Sequence, residues 1–292
     1  MIKKIKSYIE KFETLKVLVI GETIIDEFVS VSYEGQSMKS ICPVYRLDGE
    51  RSIQQGGTLA IANHLRGFVK QLDLITNENS EIIKTRFVDK DDKKKHVEIN
   101  KFETQNFKEI NVNTENYDVV IVADFGHGFC DKLNINNGFH LMCQTNSNNF
   151  GFNRISKWKK HTKKSVCLDL REASLQMNKK IKFQSQEEIL ELYNYEINTE
   201  HLFLTIGRGG SAYTNGNDII RQKTFESEVV DTIGAGDTFY AFACLMGALN
   251  DIDKNDIMLI PALAASLSTT WLCNEKSVTP QTLIQHANKF VF

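Results

Sequence analysis

The 292-residue chain predicts an α/β fold, a doubly wound and mostly parallel sheet flanked by helices, with a small antiparallel β lid. Three observations carry that expectation. Four short aliphatic and β-branched runs lack polar alternation, helix-like patterns separate them, and two other segments alternate and carry turn residues.

The elements follow in order. Residues 2–12, "IKKIKSYIEKF", place Ile2, Ile5, Ile9 and Phe12 on one helical stripe with lysines opposite, which predicts a helix packed on the domain edge. "KVLVIG" (Lys16–Gly21), "DVVIVADFG" (Asp118–Gly126), "SVCLDL" (Ser165–Leu170) and "HLFLTIG" (His201–Gly207) read as parallel strands covered on both faces. "QEEILELYNY" (Gln186–Tyr195) reads as an intervening helix. From Glu27 to Gln55, "FVSVSYEG" and "CPVYRLDG" alternate around Gly and Pro, and Lys84 to Glu103 reads as a hairpin with a charged tip. No internal repeat or Pro/Gly/Ser linker interrupts the chain. Residues 1–292 are therefore expected to form one domain whose lid comprises segments 27–55 and 84–103.

Composition excludes several classes. A net charge of -2 leaves no global basic field, so nucleic acid is not expected as a partner. The Lys-rich runs "DDKKKH" and "KWKKHTKK" read as solvated faces. The six cysteines are scattered without C-x-x-C or zinc spacing, which predicts reduced thiols and a cytoplasmic protein. No 18-residue apolar span is present, so no membrane partner is expected.

The chemistry concentrates in "VVDTIGAGDTFYAFACLMGAL" (Val229–Leu249). A helix starting near Gly236 leaves its first N–H groups without intrahelical acceptors. Gly234, Ala235 and Gly236 are small enough to let an anion reach those donors, and the helix dipole favours negative charge there. Asp237 stands beside them. An anion hole next to a carboxylate suits phosphoryl transfer to an alcohol, with the carboxylate as proton acceptor. The bland alternative is a plain helix start. The two glycines spent on one turn, backed by the apolar stripe of Phe239, Phe242, Ala243, Met246 and Leu249, favour the functional reading.

"DTIGAGDTF" resembles the C-terminal signature D-T-x-G-A-G-D-x-F of the ribokinase-like (PfkB) carbohydrate kinases. The resemblance implies that Asp237 is the catalytic base and that Gly234, Ala235 and Gly236 form the anion hole. It also implies ATP and Mg²⁺ as cofactors, held without a Walker A loop. "VLVIGETIIDEF" resembles the family's first strand and turn, which implies that Asp26 binds sugar hydroxyls. "QQGGTLAIANHL" resembles its Gly-Gly motif, implying that Gly56 and Gly57 let substrate lie against backbone. "LDLREASL" stands where the family carries N-x-x-E, implying Asp169 and Glu172 in magnesium handling. "LTIGRGGSAY" implies Thr205, Gly207 and Gly210 near ATP. "ADFGHGF" puts His127 where the family has lysine, and no chemistry is assigned to it.

Within the family the order of motifs is most similar to kinases of D-glycero-D-manno-heptose 7-phosphate. That likeness implies a heptose 7-phosphate, phosphorylated on its 1-hydroxyl, or a related surface-polysaccharide sugar. Lys84, Arg86, Arg46 and Arg51 are then candidates for the substrate's phosphate, against the alternative that they are salt-bridged surface residues. Two family asparagines align with Ala60 and Leu263. Another sugar, a nucleoside, or a non-catalytic sugar-binding role are the competing expectations. A homodimer through the lid is a further implication of the resemblance.

Overall fold

The computed structural model describes residues 1–77, 82–102, 107–144, 153–195 and 197–290, so Glu103, the expected end of the second lid segment, lies outside the described residues. The N-terminal elements are α1 (Ile2–Phe12), β1 (Lys16–Gly21), β2 (Thr23–Gln36), β3 (Pro43–Gly57), α2 (Thr58–Leu65), β4 (Gln71–Thr76), β5 (Ile83–Asp89) and β6 (Lys95–Lys101). Next come β7 (Ile110–Asn111), β8 (Val119–Asp124), β9 (Leu133–Asn134), β10 (His140–Cys143), β11 (Lys163–Asp169), α3 (Leu170–Met177) and α4 (Gln186–Asn194). The chain continues through β12 (Thr199–Thr205), β13 (Ser211–Thr214), β14 (Ile219–Gln222), α5 (Ala235–Ala248), α6 (Leu259–Ser268) and α7 (Pro280–Asn288).

Eight strands form the main sheet in the order β14-β13-β12-β11-β10-β8-β1-β4. From β4 to β12 every pairing is parallel, and β13 and β14 close that edge antiparallel. The four expected strands are all present, with ends shifted by at most two residues. β4 and β10 escape the sequence pattern for physical reasons. β4 is a partly exposed edge strand, and β10 has only four residues.

Two apolar layers sandwich the sheet. Val17, Val19, Ile121 and Ala123 pack toward α1, α2, α5, α6 and α7. Leu18, Ile20, Val120 and Val122 pack toward α3 and α4. Side chains of successive strand residues point to opposite faces, so two buried faces require apolar residues at every position. This is the origin of the unbroken runs. Helix α1 docks as its stripe predicts, burying Ile5, Ile9 and Phe12, and each such side chain contributes roughly 1.5–3 kcal/mol. Tyr8 joins the stripe because its hydroxyl donates to Asp256 at 2.9 Å.

The second sheet runs β3-β2-β5-β6. It contains the expected antiparallel strands together with one parallel pairing. β2/β3 and β5/β6 are antiparallel hairpins, but β2 and β5 pair in parallel. The reason is topological. Between the hairpins the chain detours through α2 and β4 in the main domain and returns in the original direction.

Among the described residues no helix is long and apolar enough to cross a membrane. All six cysteines are free, and all but Cys42 are buried.

Candidate active site

The site begins at the N-terminus of α5. Gly234 caps the helix with φ 81°, a left-handed conformation that a side chain would strain, and a Cβ there would lie 2.6 Å from Asn274 Oδ1. The helix starts at Ala235, one residue before the sequence suggests. That changes which amides are available. The Ala235 N–H donates to the Thr232 carbonyl at 3.3 Å, whereas those of Gly234, Gly236 and Asp237 have no acceptor among the described residues. Ala235 is thus removed from the donor set, and the Asp237 amide joins it. Gly236 is exposed, and nothing lies within 4 Å of where its Cβ would stand. The helix tip is open.

The Asp237 carboxylate has one buried oxygen, Oδ1, with no hydrogen-bond partner. Burial raises its carboxyl to about 7, the charge of Asp26 adds to the rise, and Lys84 opposes it. Three separate elements, α5, β2 and β5, create this environment.

Asp26 and Lys84 reach Asp237 from the second sheet. The register pairs Asp26 with Gln54 and Lys84, and Phe28 with Ser52 and Arg86, so these rows share one face. The intervening rows, with Ile53, Glu27, Thr85 and Ile99, occupy the other. Asp26 is 5% exposed and ion-paired with the buried Arg86 at 2.5 Å, and Arg86 Nε also donates to Glu98 at 2.9 Å. Gly56 exists for that carboxylate. A Cβ at 56 would lie 2.1 Å from Asp26 Oδ2, and one at Gly57 would lie 2.5 Å from the Glu22 carbonyl. Both spaces are filled by this chain, so the packing around each glycine requires it.

The four basic candidates now separate. Arg86 holds Asp26 and Glu98, Arg51 holds Glu27 at 2.6 Å, and Arg46 lies against Glu34 and Asp48. Lys84 alone of the four has no ion pair among the described residues, and it is only partly exposed. Its charge is felt by Asp237 and by His127. His127 is lowered to about 4, first by burial, and packs edge-on against Phe102 with its Nε2 unpartnered.

On the far side, β11 and β12 bring Asp169 opposite Thr205. Asp169 caps α3 in a reciprocal box: its Oδ1 accepts the Glu172 amide at 2.7 Å, and Glu172 Oε2 accepts the Asp169 amide at 2.8 Å. Cys167, just before them, feels the charges of Glu172, Asp169 and Asp237 together, so these carboxylates share one end of the sheet. Oxygen donors of this kind fit Mg²⁺, which takes one or two carboxylates and completes its shell with water and phosphate oxygens. Gly207 borders open space in the turn after β12, while Gly210 is required by the Gln222 carbonyl, 2.2 Å from its hypothetical Cβ. Ala60 and Leu263 are both buried in the core.

Sequence reasoning missed Asn274. Its amide donates to Gln54 Oε1 at 2.8 Å, its Nδ2 lies 3.5 Å from Asp26 Oδ2, and its Oδ1 is buried without a partner. No local pattern marks an asparagine after "TTWLC". It also missed a buried group behind the site, in which Glu22, Asp124 and Cys130 gather within 4.8 Å. Burial and the Asp124 charge raise Glu22, whose oxygens accept the Phe125 and Cys130 amides, while Lys157 pairs with Asp124 at 2.7 Å.

Residues 163–274 match the pfkB family carbohydrate kinase model. A 46-residue stretch is 41% identical to an ATP-dependent 6-phosphofructokinase of Thermoanaerobacterium thermosaccharolyticum, covering 16% of this chain and 14% of that protein's length. Among solved structures, the nucleoside kinase of Methanocaldococcus jannaschii, an archaeal member of the ribokinase family, is similar with a TM-score of 0.65. It is 17% identical, over 95% of this chain and 99% of that one. The ribokinase of Arabidopsis thaliana complexed with ribose and ATP is similar with a TM-score of 0.66 and 13% identity, over 94% and 98%. The ribokinase of Cryptococcus neoformans in complex with ADP gives 0.60 and 14%, over 93% and 99%. The fold is therefore ribokinase-like. Its C-terminal part carries the PfkB carbohydrate kinase pattern, which includes the whole α5 tip and Asn274.

Proposed function

We propose that this chain is an ATP-dependent kinase that transfers the γ-phosphoryl group to a hydroxyl of a sugar or sugar phosphate. One observation carries the reading: a carboxylate raised to about 7 stands beside unpaired amides at an open helix tip. Asp237 accepts the proton of the attacking hydroxyl as its oxygen bonds to the γ-phosphorus and the bond to the bridging oxygen breaks, releasing ADP. The Gly234, Gly236 and Asp237 amides stabilise charge on the phosphoryl group in flight. Asp26, anchored by Arg86, receives the sugar hydroxyls. Thr205 and Gly207 border the nucleotide. Asp169 and Glu172 would hold Mg²⁺, which offsets phosphate charge when bound. The second sheet serves as a lid that excludes water, and its outer face joins two copies.

Lys84 favours an anionic sugar, because an unpaired ammonium near the reacting groups suits a phosphate, and heptose 7-phosphate is the finer reading. The ribokinase and nucleoside kinase relatives make ribose and adenosine the natural competitors. ADP release with heptose 7-phosphate, fructose 6-phosphate, ribose and adenosine separates these, with the phosphorylated sugars expected to dominate. Asp237→Asn is expected to fold and to lose about 10²–10⁴ in kcat. Wild-type turnover in that variant overturns the assignment.

A further inference from the structure

His64 lies on α2, about two turns beyond the Gly56–Gly57 pair, and is 2% exposed. The Val278 N–H donates to its Nδ1 at 3.0 Å, so Nδ1 offers a lone pair and the ring proton sits on Nε2. Nε2 is 3.0 Å from Thr238 Oγ1. The Thr238 hydroxyl, receiving that proton, donates in turn to the Gly234 carbonyl at 2.9 Å. The Thr238 amide donates to the same carbonyl, also at 2.9 Å. Every hydrogen in this chain of bonds has one place to go. It links α2, the first turn of α5 and the segment leading away from Asn274.

We infer that His64 is a positioning residue for the α5 tip: its neutral Nε2–H tautomer, set by Val278, fixes Thr238 and thereby the turn that carries the Gly236 amide and Asp237. The claim rests on the kinase reading for its chemical consequence, but not for its geometry. An imidazole this buried costs stability unless both nitrogens are bonded, and here both are. A leucine would fill the space, leave the Val278 amide unpartnered and strip the Thr238 hydroxyl of its bond to Nε2, so that only the Gly234 carbonyl holds it. Burial lowers the ring to about 4, which keeps it neutral in the role assigned.

Three readouts on the intact chain test this. Ring ¹⁵N shifts of His64 are expected to report the neutral Nε2–H tautomer. Hydrogen exchange at the Thr238 amide is expected to speed up about tenfold or more in His64→Leu, with cooperative melting retained. Binding of ADP, measured by calorimetry, is expected to weaken about tenfold in the same variant, as a displaced tip would require. His64→Gln, which keeps one acceptor and one donor, restores both. Should His64→Leu fail to fold, the near-isosteric Thr238→Val removes the same link from the other side. Wild-type exchange and ADP affinity in whichever of these variants folds, or an Nδ1–H tautomer, overturns the inference. If the wild-type chain itself does not bind ADP, the kinase reading fails alone, and the exchange rates still decide the role of His64.

Discussion

At the scale of single residues, Asp237 is held between opposing influences. Its carboxyl titrates near 7 because burial and Asp26 disfavour the charged form more than Lys84 favours it. Such a group works as a base once deprotonated, so turnover should rise through about pH 7 and level off above it, as a pH–rate profile would show. The same shift has a stability consequence. A folded-state value raised above the unfolded one means that the folded chain binds the proton more tightly. The associated stability is present below the unfolded value near 3.8 and lost as pH rises through about 7. Asp237→Asn, neutral throughout, is therefore expected to melt about 2–4 °C above wild type at pH 8, with the gap shrinking toward pH 5. Calorimetry at the two pH values checks this. The identity and helix-tip placement of Asp237 were readable from "GAGD". Its environment was not, since Asp26 and Lys84 belong to strands more than 150 residues away in the chain.

Elements show the same division. The spacing that resembles N-x-x-E folds into a capping box, in which Asp169 and Glu172 first satisfy the amides that start α3. The alternation of β2 and β5 was visible, but their parallel pairing was not, and that pairing puts Arg86 one step along from Lys84 on the Asp26 face. Arg86 consequently pairs with the protein's own carboxylates. Its replacement by Met leaves Asp26 and Glu98 without their cation, one of them buried. A loss of about 3–5 kcal/mol is expected in urea unfolding, because breaking a buried pair strands the remaining charge. Retention of full stability would show that Asp26 does not depend on this pair.

For the molecule as a whole, the second sheet has two unlike faces. One turns Asp26, Lys84 and Arg86 toward α5, and the other leaves Ile53 65% and Ile99 54% exposed in rows shared with Glu27 and Thr85. Apolar residues at that exposure on a sheet face suit a second copy. Ile53→Asp combined with Ile99→Asp is expected to convert a dimer to a monomer in sedimentation velocity without lowering the melting temperature by more than a few degrees. A wild-type chain that sediments as a monomer removes the lid dimer from the proposal.

Short-range chemistry settled the strand runs, the amphipathic α1, the α5 turn and its acid, because side-chain period and turn geometry involve residues only a few positions apart. Partnership across the chain was beyond its reach. Arg86 meets Asp26 over 60 positions, His64 meets Thr238 over 174 and Val278 over 214, and Asn274 meets Asp26 over 248. Those meetings depend on crossover connections and strand register, which one chain segment does not encode alone. They decide which acid has its carboxyl raised, which of the basic candidates has no ion pair among the described residues, and which glycine makes room for a neighbour.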